Sequence, residues 1–210
     1  MPEYKQLRAQ YKRVLSQRNN LLKKGPSTKD QLFVWDIKLS QLAGKIINHR
    51  QSIIEKINTS LGDTYKSMSG SKTKIDIEYI FSVPLENYES RLLSKLQSHA
   101  DQDYERGFTS FGPHREDFVI TFDGHTAALA ASRGEIRTAT LALKNIELKI
   151  IEEARGERPL VLLDDVFSEL DGRRRHDLTE FLKDYQTFIT TTDADLVIKN
   201  FTSACNVIAI

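Results

Sequence analysis

The chain has 210 residues, 40% of them hydrophobic and 28% charged, the balance of a soluble globular protein with room for one or two compact domains. No apolar run approaches a membrane span, and the polar start MPEYKQLRAQYKR does not read as a signal peptide. One cysteine, Cys205, excludes an internal disulfide framework and any CxxC metal site, and suits a reducing cytoplasm. The net charge of +1 is unevenly spread: residues 1–58 hold twelve Lys/Arg against four acids, an excess of eight. Such a stretch suits a polyanion, although the same pattern occurs on a solvated helix face.

The spacing of Leu7, Tyr11, Val14, Leu21 and Leu22 predicts a helix over 3–24, broken by Lys-Lys-Gly-Pro-Ser-Thr. A second helix is expected over 30–58, with Leu32, Trp35, Leu39, Leu42, Ile46, Ile53 and Ile57 at three-four spacing. Two such helices around a short turn make an antiparallel hairpin. Residues 74–83 alternate as a strand ended by Pro84. Residues 85–105 read as a helix with Leu85, Tyr88, Leu92, Leu93 and Leu96 on one face. A short strand over 118–122 leads into the turn signal Asp123-Gly124. A helix over 138–154 then precedes Leu160-Val161-Leu162-Leu163, an apolar run of the kind buried on both faces of a parallel sheet. A helix over 172–183, a strand over 187–191 and a final strand over 206–210 complete an alternation that argues for an α/β lobe. The expected division is a helical arm domain over 1–106 and a sheet lobe over 107–210.

Four segments carry chemistry. Asp164-Asp165 ends the apolar run, where carboxylates meet the ligand crevice of an open α/β sheet. This is the Walker B pattern: the first acid would hold Mg²⁺ and the second would orient and deprotonate water. Strand-terminal acids also serve as helix caps. Ser132-Arg133-Gly134-Glu135 opens a helix and suits an anion, or equally an ordinary N-cap with its capping-box glutamate. Ser168-Glu169-Leu170-Asp171 precedes another helix, which Asp171 could cap. Thr190-Thr191-Thr192-Asp193 ends the next strand in hydroxyls and an acid.

In this order and spacing, the four segments resemble the signature, Walker B, D-loop and switch regions of ABC-type ATPases, in the form found in the RecF family. Gly112-Pro113-His114-Arg115-Glu116-Asp117 resembles that family's GPHR(D/E)D segment. Ser132–Thr138 resembles its S-x-G-Q-x-R-T signature, with Glu135 in place of glutamine. Residues 162–171 resemble its LLDDVxSELD. Residues 11–23 resemble its YxxxLxQRNxLLK helix. The likeness runs over nearly the whole chain and implies a helical-hairpin arm plus the distal half of an ABC-type lobe.

The resemblance further implies that Asp164 coordinates Mg²⁺ and that Asp165 is the catalytic carboxylate. It implies that Ser132, Arg133, Gly134 and Glu135 face ATP held by a second protomer, and that Asp171 lies at the dimer interface. Thr192 stands where transporter-type relatives carry a switch histidine. Implied partners are DNA at gaps or junctions, an ATP-dependent second copy, recombination mediator proteins and the recombinase, in a repair and SOS setting. Lys12, Arg13, Arg18, His114 and Arg115 are the candidate DNA contacts. The sequence contains no G-x-x-x-x-G-K-[ST], so a phosphate cradle is expected from a segment upstream in the family, and this chain is expected to be inactive alone. Two other readings stand beside this one: a non-enzymatic interaction module, and part of a cohesin- or Rad50-like chromosome ATPase. The short arm weighs against the last.

Overall fold

The structure, a computed structural model, describes residues 2–166 and 172–191. The expected D-loop acid Asp171, the switch residue Thr192, Cys205 and the strand over 206–210 lie outside the described residues. The elements in chain order are α1 (Pro2–Lys24), α2 (Lys29–Ser69), β1 (Ile75–Ile80), α3 (Tyr88–Ser98), α4 (Ala100–Arg106), β2 (Asp117–Phe122) and β3 (His125–Thr126). Then follow α5 (Ala127–Ala130), α6 (Arg133–Arg155), β4 (Val161–Asp164), α7 (Gly172–Leu182) and β5 (Thr187–Thr190). They form two compact units, each drawn from two stretches of chain: 1–58 with 77–121, and 59–76 with 122–210.

In the first unit, α1 ends at Gly25, whose φ of 91° is open to glycine at no steric cost. Leu21 and Leu22 near the end of α1 pack with Leu32 near the start of α2. Leu7 and Tyr11 pack further along α2, against Leu39, Ala43, Ile46 and Ile47. That pairing is the antiparallel hairpin expected from sequence. Val83 and the α3 residues Tyr88, Leu92 and Leu96 close the same core. The helix expected over 85–105 is two helices, because the backbone turns out of helical geometry at His99 (φ −112°, ψ 13°). Leu85, expected on its apolar face, is exposed.

The center of this unit is polar. Arg18 has 0% of its surface exposed. Its Nε donates to Asp36 Oδ1 at 2.6 Å and its Nη1 to Asp103 Oδ2 at 2.7 Å and Thr109 Oγ1 at 2.9 Å. Thr109 in turn donates from its amide (2.9 Å) and its hydroxyl (2.7 Å) to Asn19 Oδ1. One guanidinium thereby ties α1 to α2, α4 and the loop at 109. Burial pushes the Asp36 carboxyl up from its ordinary range, and the adjacent Arg18 only partly opposes that.

The second helix runs to Ser69 rather than stopping near residue 58, because Leu61, Tyr65 and Met68 continue the buried stripe. It ends at Gly70 (φ 68°), whose amide donates back to Lys66 O at 2.9 Å, an αL termination. In the second unit Tyr65 meets Phe122 edge-on, with centroids 5.7 Å apart. The three-stranded sheet, most of whose β1 and β2 residues belong to the first unit, has the order β1-β2-β3. Asp123 (φ 49°) and Gly124 (φ 79°) form the tight β2–β3 turn, both left-handed as such a two-residue hairpin requires.

β4 and β5 pair in parallel, with Val161 opposite Thr187, Leu162 opposite Phe188, Leu163 opposite Ile189 and Asp164 opposite Thr190. The expectation that both faces of this apolar run are buried is not met. One face, with Val161, Leu163 and Ile189, packs on Leu178 and Leu182 of α7 and on Leu141 and Leu148 of α6. On the other face Leu162 is 72% and Phe188 56% exposed. Helices cover one side only among the described residues, so apolar surface of the kind that drives association is left open.

Two outcomes follow. Arg18→Ala leaves two buried carboxylates without their cation and costs about 3–5 kcal/mol, read as a fall in the urea midpoint. Leu162→Thr with Phe188→Thr lowers hydrophobic-dye binding and light scattering while leaving the helical circular-dichroism signal unchanged.

Candidate functional site

The end of β4 is built by sheet register. Parallel pairing sets Asp164 beside Thr190, whose hydroxyl donates to Asp164 Oδ1. The Asp165 amide donates to Thr190 O at 3.1 Å and lies 3.2 Å from Thr190 Oγ1. Asp165 has φ 45°, a left-handed conformation uncommon for a residue with a side chain and characteristic of functional turns. The two acids therefore sit where the strand stops: Asp164 is exposed, and Asp165 is half-buried. The sequence pattern singles out Thr192 among the strand's terminal hydroxyls, and that residue lies outside the described ones. The register singles out Thr190 as the one bonded to Asp164.

Ser132 is the N-cap of α6. Its hydroxyl oxygen accepts from the Glu135 amide at 3.3 Å, and the Glu135 carboxylate accepts from the Ser132 amide at 2.8 Å, a complete capping box. The Ser132 amide and hydroxyl hold the Glu135 carboxyl below its ordinary value. The helix begins at Arg133, five residues before the start expected at Thr138, because this box supplies the missing partners of its first turn.

A groove of about 650 Å³ runs along α6, β4 and α7, and Arg137, Thr140, Asp164 and Asp165 are in its walls. The structure thus brings the second turn of α6 to the strand-end acids. Ser132, Arg133, Gly134 and Glu135 do not line that groove. Arg137, seen in the sequence only as part of the signature string, does. Among the described residues, no group of three or more His, Cys, Asp or Glu is placed to hold a metal, and no helix is long and apolar enough to cross a membrane.

The arm residues divide. Lys12, Arg13 and Arg115 are exposed, Arg115 resting over the Phe108 ring at 4.8 Å. Arg18 is a correction: its guanidinium is enclosed among Asp36, Asp103 and Thr109 and presents no surface to a polyanion. His114 is a second correction. The Tyr11 hydroxyl donates to its Nδ1 at 2.8 Å, and its Nε2 donates to Thr109 O at 3.1 Å, so both ring nitrogens are occupied. Burial holds its pKa below the ordinary value, which favors the neutral ring this pattern needs. Gly112 (φ 118°) is required beside it, since a Cβ there would lie 2.8 Å from the Tyr11 hydroxyl. Glu116 accepts from the Ser82 amide at 2.8 Å and from the hydroxyls of Tyr88 at 2.6 Å, Tyr79 at 3.0 Å and Ser82. Burial pushes the Tyr79 hydroxyl up to about 12. The Gly-Pro-His-Arg-Glu-Asp segment is accordingly a structural clasp of the first unit.

No family model matches the sequence. Individual proteins do. The DNA replication and repair protein RecF of Clostridium beijerinckii is 40% identical over 191 residues, covering 90% of this chain and 52% of that protein. The protein of the same name from Halothermothrix orenii is 37% identical over 204 residues, covering 91% and 54%. A solved structure of the recombination mediator protein RecF-ATPrS in the RecFOR pathway superposes with TM-score 0.81 at 34% identity, covering 93% of this chain and 55% of that one. One of RecF-ATP gives 0.79 at 36% identity, covering 93% and 54%. Over this span the chain is similar in sequence and in fold to RecF proteins. It spans about half the length of the RecF proteins it matches, and its mixed helix-and-sheet fold is theirs over that half.

The neutral His114 gives a pH signature. Its folded pKa lies below the ordinary 6.5, so its contribution is complete above that value and is lost as pH falls through the folded pKa. Urea midpoints measured downward from neutral pH fall for the parent chain, and His114→Gln flattens that segment of the curve.

Proposed function

We propose that this chain supplies the carboxylate and signature side of a RecF-type ATPase acting in DNA replication and recombinational repair. The observation that carries the reading is the β4–β5 register. It sets Asp164 and Asp165 at the end of a parallel strand, with Thr190 fixing the first acid, in a chain homologous to RecF.

The residues fit a nucleotide-bound Mg²⁺ in a limited way. One exposed carboxylate, Asp164, suits an ion that draws its remaining ligands from phosphate oxygens and water. When bound, Mg²⁺ would neutralise charge developing on the transferred phosphate. Asp165 is the group for holding an attacking water and taking its proton. Ser132 and Gly134, at the start of α6, offer a helix N-terminus to the γ-phosphate of ATP on a second copy. Glu135 and Ser132 are committed to each other in the cap, so Arg133 and the remaining first-turn amides carry that contact. The outermost parts of this reading are ATP-dependent pairing of two copies, binding at DNA gaps, and recombinase loading with mediator proteins. They rest on the likeness to RecF. For the chain by itself, the absence of a G-x-x-x-x-G-K-[ST] segment favors a part that acts on a nucleotide gripped by another segment.

Co-expressed with the complementary half of a RecF protein, this chain hydrolyses Mg-ATP, and Asp165→Asn lowers kcat by roughly 100-fold or more. Hydrolysis that survives this substitution sinks the catalytic assignment.

A further inference from the structure

Within the first unit, a groove of about 600 Å³ lies along α1 and α2. We propose that it is a binding site for the sugar-phosphate backbone of a nucleic-acid strand, seated on Lys5, Arg8, Lys12 and Arg50. Those four cations line it, and no carboxylate does. The inference rests on the DNA reading above and assigns it a place.

Lys5, Arg8 and Lys12 recur at i, i+3 and i+7 along α1, one stripe of a helix rising about 10 Å. All three are exposed, and none forms an ion pair among the described residues. Arg50 completes the wall from α2. It is half-buried, and its partners are all neutral: Pro113 O at 2.7 Å, the Tyr4 hydroxyl at 3.3 Å, and the Tyr79 hydroxyl. A guanidinium held in place by neutral acceptors keeps its full charge and loses little rotamer freedom when an anion arrives.

The count of charges selects a strand over a small anion. Four cations with no carboxylate partner among the described residues exceed the charge of one phosphate. A nucleic-acid strand carries a charge for every 3.4 Å or so of helix axis, so a ~10 Å stripe meets two or three phosphates. Tyr4, half-exposed on the same wall, offers a ring face to a sugar or base.

The test uses the whole chain and fluorescence anisotropy of a labelled single strand of ~20 nucleotides, titrated with KCl between roughly 50 and 200 mM. Lys5→Gln, Arg8→Gln and Lys12→Gln together weaken affinity at least about tenfold and lower the salt slope by about two. The charge-keeping triple Lys5→Arg, Arg8→Lys, Lys12→Arg retains binding. So does Lys24→Gln, Lys29→Gln, Lys45→Gln, which removes arm cations outside the groove. Equal losses from both Gln triples, or no loss from the first, overturn the groove and leave the DNA reading standing. Displacement of the strand by inorganic phosphate or ATP at matched ionic strength makes it a small-anion site, and equal affinity for polyglutamate makes it a site for acidic protein. Either result overturns the proposal. A parent chain that binds no strand at all overturns the DNA reading with it.

Discussion

The first unit is organised around a single buried positive charge. Arg18 cannot leave the interior without stranding Asp36 and Asp103, and neither acid tolerates the interior without it. Because its partners come from α2, α4 and the segment at 109, the charge fixes the register of three elements against α1 in a way apolar packing alone does not. The fork of a guanidinium admits one arrangement of its acceptors.

This constraint explains what the sequence could and could not convey. The hairpin was legible because its two helices carry three-four apolar spacing around a Gly-Pro break. The longer reach of α2 was less so, since Thr59 and Ser60 interrupt the pattern before Leu61 resumes it. Arg18 and His114 illustrate a harder problem. A basic residue in a basic helix reads as surface, and only the distant acids Asp36 and Asp103, brought near by folding, reveal it as core. Arg50 is the converse. Its half-burial among tyrosine hydroxyls has no local signature, so sequence reading passed over the cation that completes the groove.

At the end of β4 the acids were legible from a run of apolar residues followed by Asp-Asp. Their mutual arrangement was not, because it depends on pairing with β5, about 25 residues away. The same pairing accounts for the sheet's one-sided cover. An apolar strand implies neighbors on both faces, but composition does not say whether those neighbors belong to the same stretch of chain. The exposed Leu162 and Phe188 answer that for the residues described.

The left-handed backbone at Asp165 has an evolutionary consequence. Glycine adopts that conformation without the steric penalty an aspartate bears, so Asp165→Gly should make the fold more stable even as it removes the carboxylate. Selection for stability alone would drift toward glycine here. An aspartate at this position carries a conformational cost that glycine does not, and the sign of that one substitution's effect on melting separates a side chain that holds the turn together from one that the turn merely tolerates.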